Sequence, residues 1–167
     1  MITVLFVCTG NSCRSPMAEA VMDELVDDYP SMKGHVRADS AGTMACEGAS
    51  IAENSQEALF RRGFAVPRHK ARQLTPDLAD EADLILTMDE QHIEEVVAIC
   101  PEAADKVHTL KGYAAHVDGF PGDGEYDIED PFRQPLEVYV EVLDEIRSAI
   151  RQLLGRLDQE RMQEAQR

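Results

Sequence analysis

Positive charge is what this chain has least of. Lys and Arg total 16 against 32 Asp and Glu, a formal net charge of −16. So acidic a protein repels nucleic acid and anionic membranes, which leaves small ligands or protein substrates as the expected partners. No apolar run reaches the roughly 18 residues that a membrane-spanning helix needs. Met1-Ile2-Thr3 carries no basic n-region and runs straight into an apolar segment, so no secretion signal is expected. Cysteine is sparse: the chain has four, without regular spacing. Neither Cys46 nor Cys100 joins His and Cys partners at zinc-like intervals, so no metal is argued for and no cofactor is expected. That usage suits a reducing, cytoplasmic setting. Repeats, linkers and a second domain are missing too, and 167 residues at 44% hydrophobic suit one domain around one sizeable core.

What the chain does have is concentrated near its start. Val4-Leu5-Phe6-Val7 reads as a buried strand. A small polar loop follows from Cys8 to Arg14. Ser15-Pro16 then reads as a helix N-cap with proline at the first helical position, ahead of Met17-Ala18-Glu19-Ala20-Val21-Met22. Cys8 therefore leaves a strand and Arg14 stands just before a helix, with five residues between them. A loop wrapped on a helix N-terminus turns several backbone N–H groups inward and makes a nest for an anion. The helix end adds about half a positive charge. Arg14 supplies a planar fork matched to two phosphate oxygens, which lysine could not do. A cysteine at the floor of such a nest ionises more readily than a free thiol with pKa near ~8.5. A thiolate facing a bound phosphorus is a nucleophile in place. A cysteine at a strand end is usually an inert core residue, and Cys-x5-Arg alone recurs by chance. Strand, polar loop, cap and helix together carry the reading.

Along the chain, apolar residues at helical spacing run from Met17 to Val26 and stop at Asp27-Asp28-Tyr29-Pro30. Val36 lies in a short strand-like run leading to Ser40-Ala41-Gly42. Ser50 and Glu53 are spaced as a capping box for a helix that carries Ala58, Leu59 and Phe60 inward and ends at Gly63. Asp83 to Met88 reads as a strand, Gln91 to Ile99 as a helix, and Val107 to Leu110 as a last strand. Residues 111–135, rich in Gly, Asp and Pro, read as a long irregular segment of the kind that usually carries function or is disordered. Leu136, Tyr139, Val140, Leu143, Ile146, Ile150, Leu153 and Leu157 mark a long amphipathic helix whose stripe is core packing. The domain is thus expected to span residues 1–157, with 158–167 a tail that frays.

Val7-Cys8-Thr9-Gly10-Asn11-Ser12-Cys13-Arg14-Ser15-Pro16-Met17-Ala18-Glu19 resembles the phosphate-binding loop of the low-molecular-weight protein-tyrosine phosphatases. The resemblance continues through Asp39-Ser40-Ala41-Gly42-Thr43, His69-Lys70-Ala71-Arg72-Gln73-Leu74-Thr75, Ala82-Asp83-Leu84-Ile85-Leu86-Thr87-Met88 and Asp130-Pro131-Phe132, in the family's order, over about residues 2–150. It implies a single doubly wound α/β domain, with a four-stranded parallel sheet flanked by helices and the phosphate-binding loop after strand 1. It also implies a metal-free mechanism through a phosphocysteine.

Cys8 is then the nucleophile and Arg14 the phosphate and transition-state clamp. The backbone N–H groups of Thr9, Gly10, Asn11, Ser12, Cys13, Arg14 and Ser15 cradle the equatorial oxygens, and such fixed donors carry most of the rate in phosphoryl transfer. The Ser15 hydroxyl can bond the thiolate. In-line displacement also needs a proton donor on the leaving-group side. Asp130 is the candidate, because Pro131 biases its backbone to an extended form and because of its position in the family pattern. Asp127 and Glu129 are nearby rivals, and Asp-Pro also commonly just begins a turn. The resemblance gives Asn11, Ser40 and His69 a role in buttressing the loop through hydrogen bonds, and Asn11 tolerates a left-handed backbone there. Cys13, in the same loop as Cys8, is a candidate for a reversible disulfide that protects the nucleophile, with simple packing as the alternative.

Two features bear on the substrate. Tyrosine phosphatases of this family tend to carry a bulky aliphatic residue at the Ser12 position and adjacent tyrosines after Asp-Pro. Here a small hydroxyl stands at the first, and Phe132-Arg133 follows Asp-Pro. The bacterial protein-arginine phosphatase branch usually has Thr at the first position and Phe at the second, and Thr87-Met88-Asp89-Glu90-Gln91-His92 and Lys106 to Tyr113 also look like that branch. A hydroxyl can accept from a guanidinium. Ser for Thr removes a methyl, and Arg133 sets a positive charge near the mouth; both depart from the branch pattern. The expected substrates are phosphoarginine or phosphotyrosine in proteins, with a slight lean to phosphoarginine. A thioredoxin-coupled arsenate reductase is the alternative, sharing the string Cys-Thr-Gly-Asn-Ser-Cys-Arg-Ser. It needs two further cysteines soon after Leu84-Ile85-Leu86-Thr87, where Met88 stands here.

Overall fold

The computed structural model describes residues 1–117, 119 and 121–167. Strand β1 (Ile2–Cys8) is central. It pairs in parallel with β2 (Val36–Gly42) on one side and β3 (Leu84–Thr87) on the other, and β4 (Val107–Thr109) pairs in parallel with β3. The order is β2-β1-β3-β4, the four-stranded parallel sheet that the resemblance implied. Helix α1 (Arg14–Leu25) joins β1 to β2. Next come α2 (Glu53–Arg61) and α3 (Pro76–Glu81) before β3, and α4 (Glu90–Ile99) before β4. Short α5 (Leu110–Ala114) and long α6 (Leu136–Ala165) close the chain.

Parallel strands buried on both faces read as unbroken apolar runs, and β1 is one. Alternation then sends Val4, Phe6 and Cys8 to one face, into a cluster with Met17 and Val21 of α1, Leu59 of α2 and Leu143, Ile146 and Ile150 of α6. Leu5 and Val7 go to the other, with Ile85 of β3, Ala79 of α3 and Ile93 and Val96 of α4. Each such aliphatic side chain contributes about 1.5–3 kcal/mol on burial, so these layers, not helix propensity, hold the helices in place. The connections leave β1 toward β2 and come back past it to β3, so the winding reverses at β1. The crevice beyond the carboxyl ends at such a reversal is where open α/β sheets bind ligands, and Cys8 ends β1 there.

Local expectations differ from the structure at several points. Helix α1 starts at Arg14 with Cys13 as its N-cap, so Ser15 and Pro16 lie inside the first turn. The Ser15 hydroxyl is engaged with Cys8 and Asn11 and caps nothing. Helix α2 is capped by Ala52 without a side-chain bond, because Ser50 forms a bridge with Lys70 instead. Phe60 is 72% exposed while Ala58 and Leu59 are buried. At about 100° per residue, three successive side chains cannot share one helix face. Helix α3 was not expected, although Thr75-Pro76 is a cap followed by a first-turn proline, and Thr75 Oγ1 accepts from Leu78 N–H. Thr109 caps α5, which takes Leu110 out of β4 and orders the start of the segment read as irregular; positions 118 and 120 of that segment lie outside the described residues. The burial of α6 ends at Leu157 as the stripe does, but the helix itself continues through Ala165. Among the described residues no helix is long and apolar enough to cross a membrane.

Candidate active site

The loop from Cys8 to Arg14 folds over the end of the sheet because β2 leaves room for it. A Cβ on Gly42 would stand 2.5 Å from Thr9 O and 3.0 Å from Asn11 N, so only glycine fits beneath the loop. Thr43 N–H and Met44 N–H donate to Cys8 O and Thr9 O at 2.9 Å. Asn11 takes a left-handed backbone at φ 53°, the conformation its amide side chain tolerates best. That amide is fully buried and satisfied: Nδ2 donates to Ser15 Oγ and Ser40 Oγ at 2.9 Å each, and Oδ1 accepts from Arg72 N–H at 3.0 Å. His69 Nε2 donates to Asn11 O at 2.6 Å. Burial lowers the His69 pKa from its ordinary value, with Arg72 adding to the effect, so the ring is a neutral donor. Ser40 passes the network on to Glu19, whose carboxyl burial pushes up toward the protonated form. Asn11, Ser15, Ser40 and His69 are therefore brought together under the loop.

Cys8 Sγ lies 2.9 Å from Ser15 Oγ at the floor of a pocket of about 190 Å³ lined by Thr9, Gly10, Ser12, Cys13, Arg14, Asp130 and Phe132. Arg14 is 3% exposed. Its Nη1 donates to Ile128 O at 2.8 Å and to Asp89 Oδ2 at 3.3 Å, and Nη2 stands 3.6 Å from Asp130 Oδ2. Ile128 is buried, and its N–H donates to Met88 O at 2.8 Å, which docks the segment bearing Asp130 onto the end of β3. Asp130 Oδ1 accepts from Phe132 N–H at 3.1 Å, so a local turn aims the carboxylate. Of the rival carboxyls, Asp127 is spent on Glu90 N–H at 2.9 Å, and Glu129 is exposed away from the pocket lining.

Cys13 Sγ lies 3.7 Å from Tyr139 Oη and 3.9 Å from Ser12 Oγ. Burial raises the Cys13 pKa, against both hydroxyl contacts. Tyr139 is pushed up to about 12 by burial and by its bond to Cys13. All four cysteines are free thiols, and neither buried Cys100 nor exposed Cys46 supplies the pair that an electron relay after β3 would need.

Sequence reasoning passed over Asp89, His92 and Tyr139. Asp89 caps α4 by accepting from His92 N–H at 3.0 Å while its other oxygen faces Arg14. An Asp just past a strand that neighbours β1 was the available signal. His92 and Tyr139 read as ordinary helix positions, and only packing brings them to the loop.

Residues 3–164 match the family model described as low molecular weight phosphotyrosine protein phosphatase. A protein-arginine-phosphatase of Bacillus subtilis is 35% identical over 158 residues, covering 95% of this chain and 98% of that protein. The solved YwlE arginine phosphatase from Geobacillus stearothermophilus superposes with a TM-score of 0.85 at 36% identity, covering 98% of this chain and 97% of its own. A cysteine-to-serine mutant of a YwlE arginine phosphatase, with a phosphorylated active site serine, superposes at 0.84 with 34% identity over 96% of this chain and 99% of its own.

Proposed function

This chain belongs to the low molecular weight phosphotyrosine protein phosphatase family and is a phosphatase; from that premise we propose that it hydrolyses phosphoarginine in proteins through a phosphocysteine at Cys8. The Cys8 thiolate attacks phosphorus in line, and the P–N bond breaks as Asp130 delivers a proton to the departing guanidine nitrogen. Asp130 then takes a proton from water, which attacks the phosphocysteine and releases inorganic phosphate and the thiolate. Arg14 and the N–H groups from Thr9 to Ser15 hold the equatorial oxygens throughout. The observation that carries this reading is one pocket holding the sulfur at its floor, a buried guanidinium at its side and an Asp130 carboxylate, half exposed, at its mouth. The phosphorylated serine of the mutant relative supports the covalent step in that protein, and by likeness here.

Ser12 and Asp130 both line the pocket and can both accept from a guanidinium, which an aliphatic residue at Ser12 could not do. One observation favours a second reading, phosphotyrosine: Phe132 is 58% exposed at the mouth and offers a ring face for a phenyl group. Arg133, at φ 61°, folds its guanidinium over that ring at 5.1 Å from the centroid, so the extra charge sits on the same wall. Cys13 serves in this reading as a resolving thiol. A peroxide converts the Cys8 thiolate to a sulfenic acid, and Cys13 displaces water from it to form a disulfide. A reducing cytoplasm would restore both thiols.

The deciding experiment is turnover of a phosphoarginine peptide beside a phosphotyrosine peptide without added metal. A higher kcat/KM for phosphoarginine is expected. Turnover of phosphotyrosine alone would overturn the substrate assignment and leave the mechanism standing.

A further inference from the structure

Thr9 follows the nucleophile directly and lines the pocket, yet the mechanism uses only its backbone N–H. Its Oγ1 lies 2.9 Å from Nε2 of His92, a residue 2% exposed in the first turn of α4. Which partner donates is set at the other ring nitrogen. His92 Nδ1 stands 3.1 Å from Asp89 Oδ1 without making a hydrogen bond to it. A bare nitrogen there would set its negative lone pair close to a carboxylate oxygen, and the repulsion between them favours the tautomer with the hydrogen on Nδ1. Burial, reinforced by Arg14, lowers the ring's pKa against the pull of Asp89, Glu95 and Asp130, which keeps the ring neutral. Nε2 is then a bare acceptor, and Thr9 must give it the hydroxyl hydrogen. What remains on Thr9 Oγ1 is lone pairs.

We infer that the Asp89–His92–Thr9 chain fixes Thr9 as an obligate acceptor in the pocket wall and so selects phosphoryl groups carried by N–H-bearing leaving groups, a guanidinium above all. A guanidinium presents N–H groups to such an acceptor, whereas a phenyl ring presents none and leaves it unpaired. Ser12 imposes no comparable choice. Its hydroxyl has only a weak contact with Cys13 Sγ at 3.9 Å and can rotate to donate or accept. Thr9 is thus a specificity-determining residue, and His92 and Asp89 are positioning residues acting through it. This inference rests on the phosphoarginine reading above.

The test is the ratio of kcat/KM for a phosphoarginine peptide to that for a phosphotyrosine peptide, measured on the full chain and four variants. Thr9→Val should lower the ratio about tenfold, the loss of roughly one hydrogen bond, and His92→Leu, which frees the hydroxyl to rotate, by less, with phosphotyrosine turnover reporting that the loop still folds. Thr9→Ser keeps the hydroxyl and should keep the ratio. His92→Gln, whose amide oxygen can accept from Thr9, should recover part of it. An unmoved ratio in both Thr9→Val and His92→Leu would overturn the inference, and so would equal losses on both substrates. A wild-type chain inert toward phosphoarginine would sink the substrate reading and this inference with it. An active wild type with an unmoved ratio would sink this inference alone.

Discussion

At the floor of the pocket, Asn11, Ser15 and Ser40 are buried and every side-chain polar atom among them has a partner, whereas at the mouth Asp130 and Phe132 are more than half exposed. The floor joins the loop after β1, the first turn of α1, β2 and the backbone of Arg72, so its positions are over-determined. The mouth is one turn after Ile128, held by a short local bond from Phe132 N–H to Asp130 and by the anchor at Met88. A rigid floor suits chemistry that is mostly positioning, because donors fixed in advance cost no reorganisation when charge develops. An exposed mouth suits choosing what enters.

Changes at the floor should therefore stop the reaction for every substrate, and changes at the mouth should sort substrates. The largest effect is expected from Cys8→Ser, which should remove turnover of phosphoarginine and phosphotyrosine peptides alike while phosphate still binds in a calorimetric titration; residual turnover at a tenth of wild type would show that the sulfur is not the nucleophile. Asp130→Ala should slow poor leaving groups by about 10²–10³-fold and good ones far less. A uniform loss across a series of substituted aryl phosphates would take the acid role away from Asp130. Asn11→Ala removes the amide donor to the hydroxyls of Ser15 and Ser40 and the acceptor for Arg72 N–H, and it puts alanine at a left-handed φ; urea unfolding should register a loss of about 2–4 kcal/mol. A variant as stable as wild type would mean that the floor is less constrained than its bonds imply. The smallest effect is at the rim. Ser12→Ile should move the substrate ratio several-fold toward phosphotyrosine, with little change in stability, and an unchanged ratio would leave selection to Thr9 and Asp130.

Cys8, Arg14 and the loop between them were legible as a strand, a tight loop and a helix start because they lie in one uninterrupted stretch, and such local structures are specified by local residues. The long stripe of α6 was legible for the same reason, since its repeat is a property of the helix alone. Caps were harder. Ser15 and Ser50 have the right chemistry for capping, but the loop's own Cys8 and Asn11 engage the Ser15 hydroxyl, and the backbone at Lys70 pairs with Ser50. Asp89 and His92 lie about 80 residues from the loop they serve, and Tyr139 lies farther still. Apart from the place of Asp89 just past a strand, nothing in their own neighbourhoods distinguishes them from an ordinary helix cap, a buried helical imidazole and a core tyrosine.

The chain alone determined that a thiol would end the first strand and a guanidinium would open the following helix, because strand, loop and helix start are specified by adjacent residues. Only the tertiary structure decided which carboxylate stands at the mouth, which one clamps Arg14, and how the Thr9 hydroxyl is oriented. Each of these depends on β3 pairing beside β1 in one particular register. Strand pairing is a contact between segments far apart in sequence, stabilised by burial that no single segment achieves by itself.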